Sequence, residues 1–94
     1  MEQACIIFSN AGQSCVAGSR TFVHEDIYDK FVEKAIAIAK GIKVGDPMKE
    51  DTDQGAQISK EQFDKIMNYI VLGEKEGAKI VVGGKRAGNV GYFI

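Results

Sequence analysis

Two stretches of the chain carry apolar residues at every third or fourth position, the spacing that places side chains on one face of a helix. The first stretch predicts a helix over residues 26–40. The second predicts a helix that opens at Ser59, where Ser59 and Gln62 have the spacing of a capping box, and that ends at Gly73 or Gly77. The apolar positions are Ile27, Phe31, Ala35 and Ile38 in the first stretch, and Phe63, Ile66, Met67, Ile70 and Val71 in the second.

Three short runs of β-branched and aromatic residues predict strands, at positions 20–23, 79–82 and 92–94. Residues 1–8 form an apolar run that predicts the end of a helix or a buried segment, with its stop near Gly12. Helices that alternate with strands are typical of α/β proteins. We therefore expect the α/β class, with helices packed on a partly parallel sheet.

The composition restricts the class of partner more than it indicates a function. The 94 residues allow one domain at most, and 45% hydrophobic with 27% charged residues is usual for a soluble globular protein. A net charge of −1 gives no reason to expect a nucleic acid or a membrane as partner. One histidine and two cysteines do not make a metal site, so no metal is expected. Free thiols at Cys5 and Cys15, in a reducing compartment, are the simpler interpretation, and a disulfide is the alternative.

Small residues surround Cys15 in a way that suits chemistry at its thiol. The residues that follow it as far as Ser19 are small or medium-sized, so a substrate could approach the thiol and the neighbouring backbone N–H groups could reach an oxygen. Covalent catalysis by cysteine needs an accessible thiolate and donors directed at the attacked carbonyl oxygen. A lone cysteine is, however, more often a small buried hydrophobe. Composition alone leaves both interpretations open.

The spacing around Cys15 resembles the active-site motif of the aldehyde dehydrogenase superfamily. Phe8 lies four positions before Gly12, Gln13 follows, and Cys15 comes two positions after the glutamine. Later segments resemble the same family in the same order, so the likeness covers essentially the whole chain; they are residues 17–23, 44–47, 54–57 and 91–94. The motifs indicate the NAD-dependent cytosolic and mitochondrial branch.

This resemblance implies an oxidoreductase that converts a small-molecule aldehyde to a carboxylate. Cys15 would be the catalytic nucleophile, forming a thiohemiacetal and then a thioester. The substrate would lie beside Phe8, Ser14 and Val16, although core packing explains Phe8 equally well. A non-catalytic, crystallin-like or structural relative of the same fold is the alternative, and the presence of Gly12 together with Gln13 and the cysteine favours the enzyme.

The resemblance also implies NAD as the cofactor, with NADP left open. Gln62 and Lys65, three positions apart on one helical face, are the candidate contacts to a ribose of the dinucleotide. Each has an equally good structural interpretation, since Gln62 completes the capping box and Lys65 fits a solvated surface.

Members of the family are several times longer than this chain. The resemblance therefore implies that residues 1–94 are a partial catalytic domain, without the NAD-binding domain and without the glutamate that serves as general base. We expect the segment to be inactive alone. We expect the full-length protein to be a homo-oligomer, a tetramer or a dimer, in the cytoplasm or the mitochondrial matrix.

Overall fold

Helices supply the regular secondary structure of residues 6–94. The computed structural model describes residues 6–94, and its two long helices are α1 (Tyr28–Gly41) and α2 (Lys60–Lys75). Both were predicted from the apolar spacing, and both are confirmed. Residues 6–8 are helical and lead into a 3₁₀ turn at Ser9–Gly12, as predicted for the end of the first apolar run. The part of that run before residue 6, including Cys5, lies outside the described residues.

Helix α1 begins two residues later than predicted because a short 3₁₀ turn, Glu25–Ile27, precedes it. His24 caps this turn, since its Nδ1 accepts a hydrogen bond from the backbone N–H of Asp26 at 3.2 Å. The charges at the two ends of α1 complement the helix dipole, with Asp29 in the first turn and Lys40 in the last. Local interactions therefore determine where this helix begins and ends.

Two capping motifs fix the ends of α2. Ser59 is the N-cap, and its Oγ accepts a hydrogen bond from the backbone N–H of Gln62 at 3.1 Å. At the other end Gly77 has a φ of +95°, and the backbone N–H of Ala78 donates to the carbonyl of Gly73 at 2.9 Å, as in a Schellman motif. Gly77 therefore ends the helix, and Gly73 lies inside it.

The strands expected for an α/β protein are not formed within residues 6–94, so the three strand predictions are wrong for this part of the chain. A strand needs backbone partners on a neighbouring strand. Residues 20–23 and 79–82 form no backbone hydrogen bond to any described residue, and residues 92–94 form single bonds instead of a ladder. Their composition favours strands, but no neighbouring strand is available among the described residues.

The polar connection between the helices has a fixed geometry. An isolated parallel bridge joins Val44 to Gln54, and the backbone N–H of Lys43 donates to a carboxylate oxygen of Asp53 at 2.9 Å. Within the predicted turn, the side chain of Asp46 accepts a backbone hydrogen bond from two residues further on. These contacts hold the chain that leads into α2.

The C-terminal residues return to the first turn of α2. The rings of Phe63 and Tyr92 lie 6.1 Å apart between centroids at an interplanar angle of 44°. The guanidinium of Arg86 lies 5.5 Å from the centroid of the Phe63 ring, and its Nη2 donates to the carbonyl of Gly91 at 3.1 Å. This cluster fixes Tyr92, whose backbone carbonyl supports the site described below.

Among residues 6–94 the buried residue is a glutamine, Gln57, at 6% exposure, and no apolar side chain there is buried. The apolar residues of α1 and α2 are half-buried at most, and Phe22 and Ile58 are 94% and 85% exposed. None of the helices in this part of the chain has the length and apolar content that a membrane span requires. The described residues therefore leave their apolar faces largely uncovered.

Candidate functional site

Cys15 lies at the corner of an exposed turn. The backbone N–H of Ala17 donates to the carbonyl of Ser14 at 3.1 Å, so Cys15 and Val16 are the two central residues of the turn. The thiol of Cys15 is free and exposed, and Val16 is 80% exposed. The backbone N–H groups of both central residues donate to no acceptor within residues 6–94. An oxygen that reaches the turn could therefore accept from them.

The chain enters this turn through three consecutive residues in the left-handed backbone region. Asn10, Ala11 and Gly12 have φ values of 53°, 55° and 74°. Glycine adopts this conformation freely and asparagine tolerates it, whereas for alanine it costs about 1–2 kcal/mol. Backbone conformations of this kind persist when surrounding contacts impose them.

Gln13 and Gln57, which we call the glutamine pair, both form hydrogen bonds to residues 10–12, which we call the left-handed turn. The side-chain Nε2 of Gln13 donates to the carbonyl of Asn10 at 3.1 Å, and its Oε1 accepts from the backbone N–H of Ile58 at 3.1 Å. The Nε2 of Gln57 donates to the carbonyl of Ala11 at 3.3 Å. Each bond contributes about 0.5–1.5 kcal/mol net, so together they are large enough to offset the strain at Ala11.

Gln57 is itself held in place by the C-terminal residues. Its backbone N–H donates to the carbonyl of Tyr92 at 2.8 Å. Its side-chain Oε1 is buried and has no hydrogen-bond partner in the described part of the chain. Rotating the amide by 180° would turn this oxygen toward the carbonyl of Ala11 and oppose two acceptors. The orientation with Nε2 toward Ala11 is therefore the one that hydrogen bonding requires.

An open depression of about 570 Å³ lies between the left-handed turn and the start of α2, lined by Asn10, Gln13, Ala56, Ile58 and Gln62. Gln62 is half-buried. Its backbone N–H takes part in the N-cap, but its side-chain amide makes no hydrogen bond to any of residues 6–94. The second bond of the predicted capping box is therefore not formed. The amide remains available to a polar ligand group in the depression.

Lys65 lies almost one helical turn beyond the depression and is exposed. In the described chain it forms no salt bridge, whereas Lys60 pairs with Asp64. The hydrogen bond from Lys60 to Asp64, and then the charge of that carboxylate, raise the pKa of Lys60 above its ordinary value. Of these two lysines near the start of α2, Lys65 is the one whose ammonium group remains available to an anionic or hydroxyl-bearing ligand.

Comparison with known protein families agrees with the motif around Cys15. The model of the aldehyde dehydrogenase family matches residues 3–94. The chain belongs to the aldehyde dehydrogenase family. The resemblance drawn from the sequence is therefore confirmed, and the family to which the chain belongs is a family of enzymes.

The relatives of this aldehyde dehydrogenase segment are much longer than the segment itself. The chain is 54% identical over 88 residues to the mitochondrial aldehyde dehydrogenase of Homo sapiens, covering 94% of this chain and 17% of that protein. The NAD⁺ complex of an aldehyde dehydrogenase from Bacillus cereus superposes with a TM-score of 0.91 at 40% identity, covering 99% of this chain and 19% of that one. A betaine aldehyde dehydrogenase from Staphylococcus aureus, in complex with NAD⁺ and with a BME-modified cysteine, gives a TM-score of 0.88 at 42% identity, covering 95% and 18%. The chain thus spans less than a fifth of the length of these three relatives.

The structure groups some of the predicted site residues of this aldehyde dehydrogenase segment and separates others. Ser14, Cys15 and Val16 share one turn, with Ser14 half-buried and the other two exposed. Phe8 is half-buried at the end of the first helical segment, which agrees with either interpretation of its role. Gln62 lines the depression, whereas Lys65 lies on the neighbouring surface.

Sequence reasoning missed the part played by Gln57 in this segment. The run 54–57 supported the resemblance, but no role followed from it for any single glutamine. A glutamine in a loop is usually solvated, so its composition gives no warning of burial. The available signal is its position two residues before Ser59, the N-cap of α2, and that position becomes informative only once Ala11 is known to lie beside Gln57.

Proposed function

We propose that this chain is the part of an NAD-dependent aldehyde dehydrogenase that carries its nucleophile, and that the full-length enzyme oxidises an aldehyde to a carboxylate. The observation that carries the proposal is the turn at Cys15, where a free, exposed thiol lies beside two backbone N–H groups without acceptors in the described chain. In the Staphylococcus aureus relative a cysteine is BME-modified, so that protein also has an accessible thiol. The activity belongs to the full-length protein, which we propose is a homo-oligomer.

In the proposed mechanism Cys15 attacks the aldehyde as a thiolate. A bond forms between its Sγ and the carbonyl carbon, and the carbonyl oxygen takes up the negative charge of a tetrahedral thiohemiacetal. The backbone N–H of Cys15 donates to that oxygen and so stabilises a charge that is absent from the free aldehyde. The carbon–hydrogen bond of the adduct then breaks, leaving the carbon two electrons more oxidised, as a thioester. Bound NAD⁺ supplies the acceptor for the departing hydrogen and its electron pair.

Hydrolysis of the thioester completes the proposed cycle. Water adds to the carbonyl carbon, the carbon–sulfur bond breaks, the acid leaves as a carboxylate, and the thiolate of Cys15 is regenerated. The water must lose a proton to a general base. No acidic residue occurs in residues 9–20, around the nucleophile. In line with what the family resemblance implies, we propose that the base lies in a part of the full-length protein outside this chain.

The residues at the start of α2 fit a dinucleotide. The free side-chain amide of Gln62 can both donate to and accept from ribose hydroxyl groups, and the ammonium of Lys65 can bind a hydroxyl or phosphate oxygen. The solved structures of two relatives contain NAD⁺, which supports NAD as the cofactor. In this proposal Gln62 and Lys65 orient the cofactor, and Cys15 performs the covalent chemistry.

Turnover of the full-length enzyme tests the proposed function. With NAD⁺ and a series of aldehydes of increasing chain length, we expect NADH to form with one carboxylate released for each NADH. Absorbance of NADH and chromatography of the acid measure the two products. Absence of NADH with every aldehyde, from a folded full-length protein, would instead favour a structural relative without catalytic activity.

The cofactor contacts have a separate test. Replacing Gln62 or Lys65 by alanine in the full-length enzyme is expected to weaken NAD⁺ binding by roughly 5- to 20-fold, the loss expected for one hydrogen bond or one charge-assisted contact. Single-turnover acylation of Cys15 by an ester is expected to stay unchanged, because that reaction needs no cofactor. Calorimetric titration with NAD⁺ and a stopped-flow burst measure the two quantities.

Lys75→Ala is the matched control, since it removes an exposed lysine from the last turn of the same helix. We expect it to leave NAD⁺ affinity unchanged. Unchanged affinity in the Gln62 and Lys65 variants as well would show that Gln62 serves the helix start alone and that Lys65 is a solvated side chain.

A further inference from the structure

Gln57 is the buried residue of the described chain, yet the mechanism proposed above does not use it. Its side chain spans a separation of 46 positions to reach the carbonyl of Ala11, and one of its two polar atoms has no partner among residues 6–94. Burying an unpaired acceptor is unfavourable. If the position only needed filling, an apolar side chain of similar size would do so without this penalty.

We propose that Gln57 is a positioning residue for the nucleophile, a role that rests on the proposed function of Cys15. Its amide donates to the carbonyl of Ala11 and holds that residue in the left-handed region. The backbone of Gln57 is also fixed, because its N–H donates a hydrogen bond to the carbonyl of Tyr92 at 2.8 Å. The bond to Tyr92, acting through Gln57, therefore helps to fix the backbone that leads into the cysteine turn.

The connection from Ala11 to Cys15 is short and direct. The backbone N–H of Gln13 closes the first turn on the carbonyl of Asn10 at 3.1 Å, and the carbonyl of Ser14 begins the second turn. If Ala11 relaxed to the right-handed region, its φ would change by roughly 115°. The residues after Ala11 would then run in a different direction, and the N–H groups of the cysteine turn would no longer point to the position of the substrate's carbonyl oxygen.

Two reactions of the same thiol respond differently to this change. Acyl transfer from an ester places negative charge on the carbonyl oxygen. The rate of acyl transfer therefore depends on how the backbone N–H beside the thiolate is oriented toward that oxygen. Alkylation by iodoacetamide displaces iodide at a saturated carbon and creates no oxyanion. A loosened turn should therefore slow acylation much more than alkylation.

The experiment compares the two reactions in full-length enzyme carrying Gln57→Met, which removes the donor with little change in side-chain length. With p-nitrophenyl acetate, the Sγ of Cys15 bonds to the acetyl carbon, the ester carbon–oxygen bond breaks, and p-nitrophenolate leaves with the electron pair. We expect acylation to slow by roughly tenfold and alkylation to change by less than about twofold, since only acylation needs the oxyanion donor. Mass spectrometry of the peptide containing Cys15 identifies the modified residue in both reactions.

Gln54→Met is the matched control, because Gln54 also donates its Nε2 to a backbone carbonyl, but to that of Ile94 at 3.2 Å and not to one in residues 10–17. It should leave both reactions unchanged. Gln57→Asn is the second variant, since it keeps an amide but is too short to reach Ala11, and it should reproduce the effect of Gln57→Met even if the methionine variant folds poorly.

A common slowing of both reactions in the Gln57 variants, or acylation at the wild-type rate in both, would overturn the positioning role. Failure of the wild-type enzyme to become acylated at Cys15 is a different result. That result would overturn the proposed function, and it would also overturn the positioning role because that role depends on Cys15 being the nucleophile.

Discussion

Replacing Cys15 by alanine in the full-length enzyme is expected to abolish both aldehyde oxidation and ester hydrolysis, lowering the steady-state rates by roughly 10³-fold or more. Both reactions pass through a bond between substrate carbon and the same sulfur, and a methyl group cannot form it. Binding of NAD⁺ should be preserved, because the residues proposed to contact the cofactor lie on α2. NADH formation, p-nitrophenol release and NAD⁺ titration measure the three properties.

Cys5→Ala is the control for this substitution. The sequence motif assigns the nucleophile to Cys15 alone, so we expect the Cys5 variant to keep both activities. Full activity in the Cys15 variant would end the proposal that this residue is the nucleophile. Equal loss in both variants would show that the effect arises from the protein's stability and not from its chemistry.

The helices were predictable because local residues determine them. The apolar spacing of α1 and α2 is visible in the sequence, and the cap at Ser59 and the stop at Gly77 act over a few positions. Strands differ in this respect, since a β-prone run needs a partner elsewhere in the protein. Residues 20–23 and 79–82 have the composition of strands without any such partner in the described chain.

The candidate site was predictable in its residue types and not in its geometry. The motif predicts Cys15 as the nucleophile, and the exposed thiol expected from the neighbouring small residues is found in the structure. The left-handed conformation of Ala11 could not be predicted, because alanine disfavours it and a contact from far along the chain imposes it. The side chain that makes this contact, Gln57, is polar and in a loop, which are the usual marks of a solvated residue.

The isolated 94-residue chain is expected neither to oxidise aldehydes nor to unfold in a cooperative transition. In the proposed mechanism its general base and most of its cofactor site belong to other parts of the full-length protein, and no acidic residue occurs in residues 9–20. Residues 6–94 have no apolar core to stabilise them, since no apolar side chain among them is buried and Phe22 and Ile58 are almost fully exposed. Complete domains are stable by only about 5–15 kcal/mol, and burial of apolar surface is the main favourable contribution.

The helices themselves do not supply the missing stability. Each has 14 or 16 residues, and isolated helices of that length are marginal in water unless an apolar face packs against a partner. Five side chains show the surface that remains to be covered, with exposures from 80% to 94%; they are Val16, Phe22, Met48, Ile58 and Val90. Apolar surface of this kind promotes association when it is left in water.

A thermal melt and a proton NMR spectrum of the purified chain test this expectation. We expect a broad, non-cooperative change in ellipticity, poorly dispersed amide signals and concentration-dependent association. The full-length enzyme, melted under the same conditions, should show a sharp transition. A sharp transition with dispersed amide signals from a monomer of the isolated chain would contradict the expectation, because it would mean that the caps of α2 and the bonds of the glutamine pair stabilise these residues without a buried apolar core.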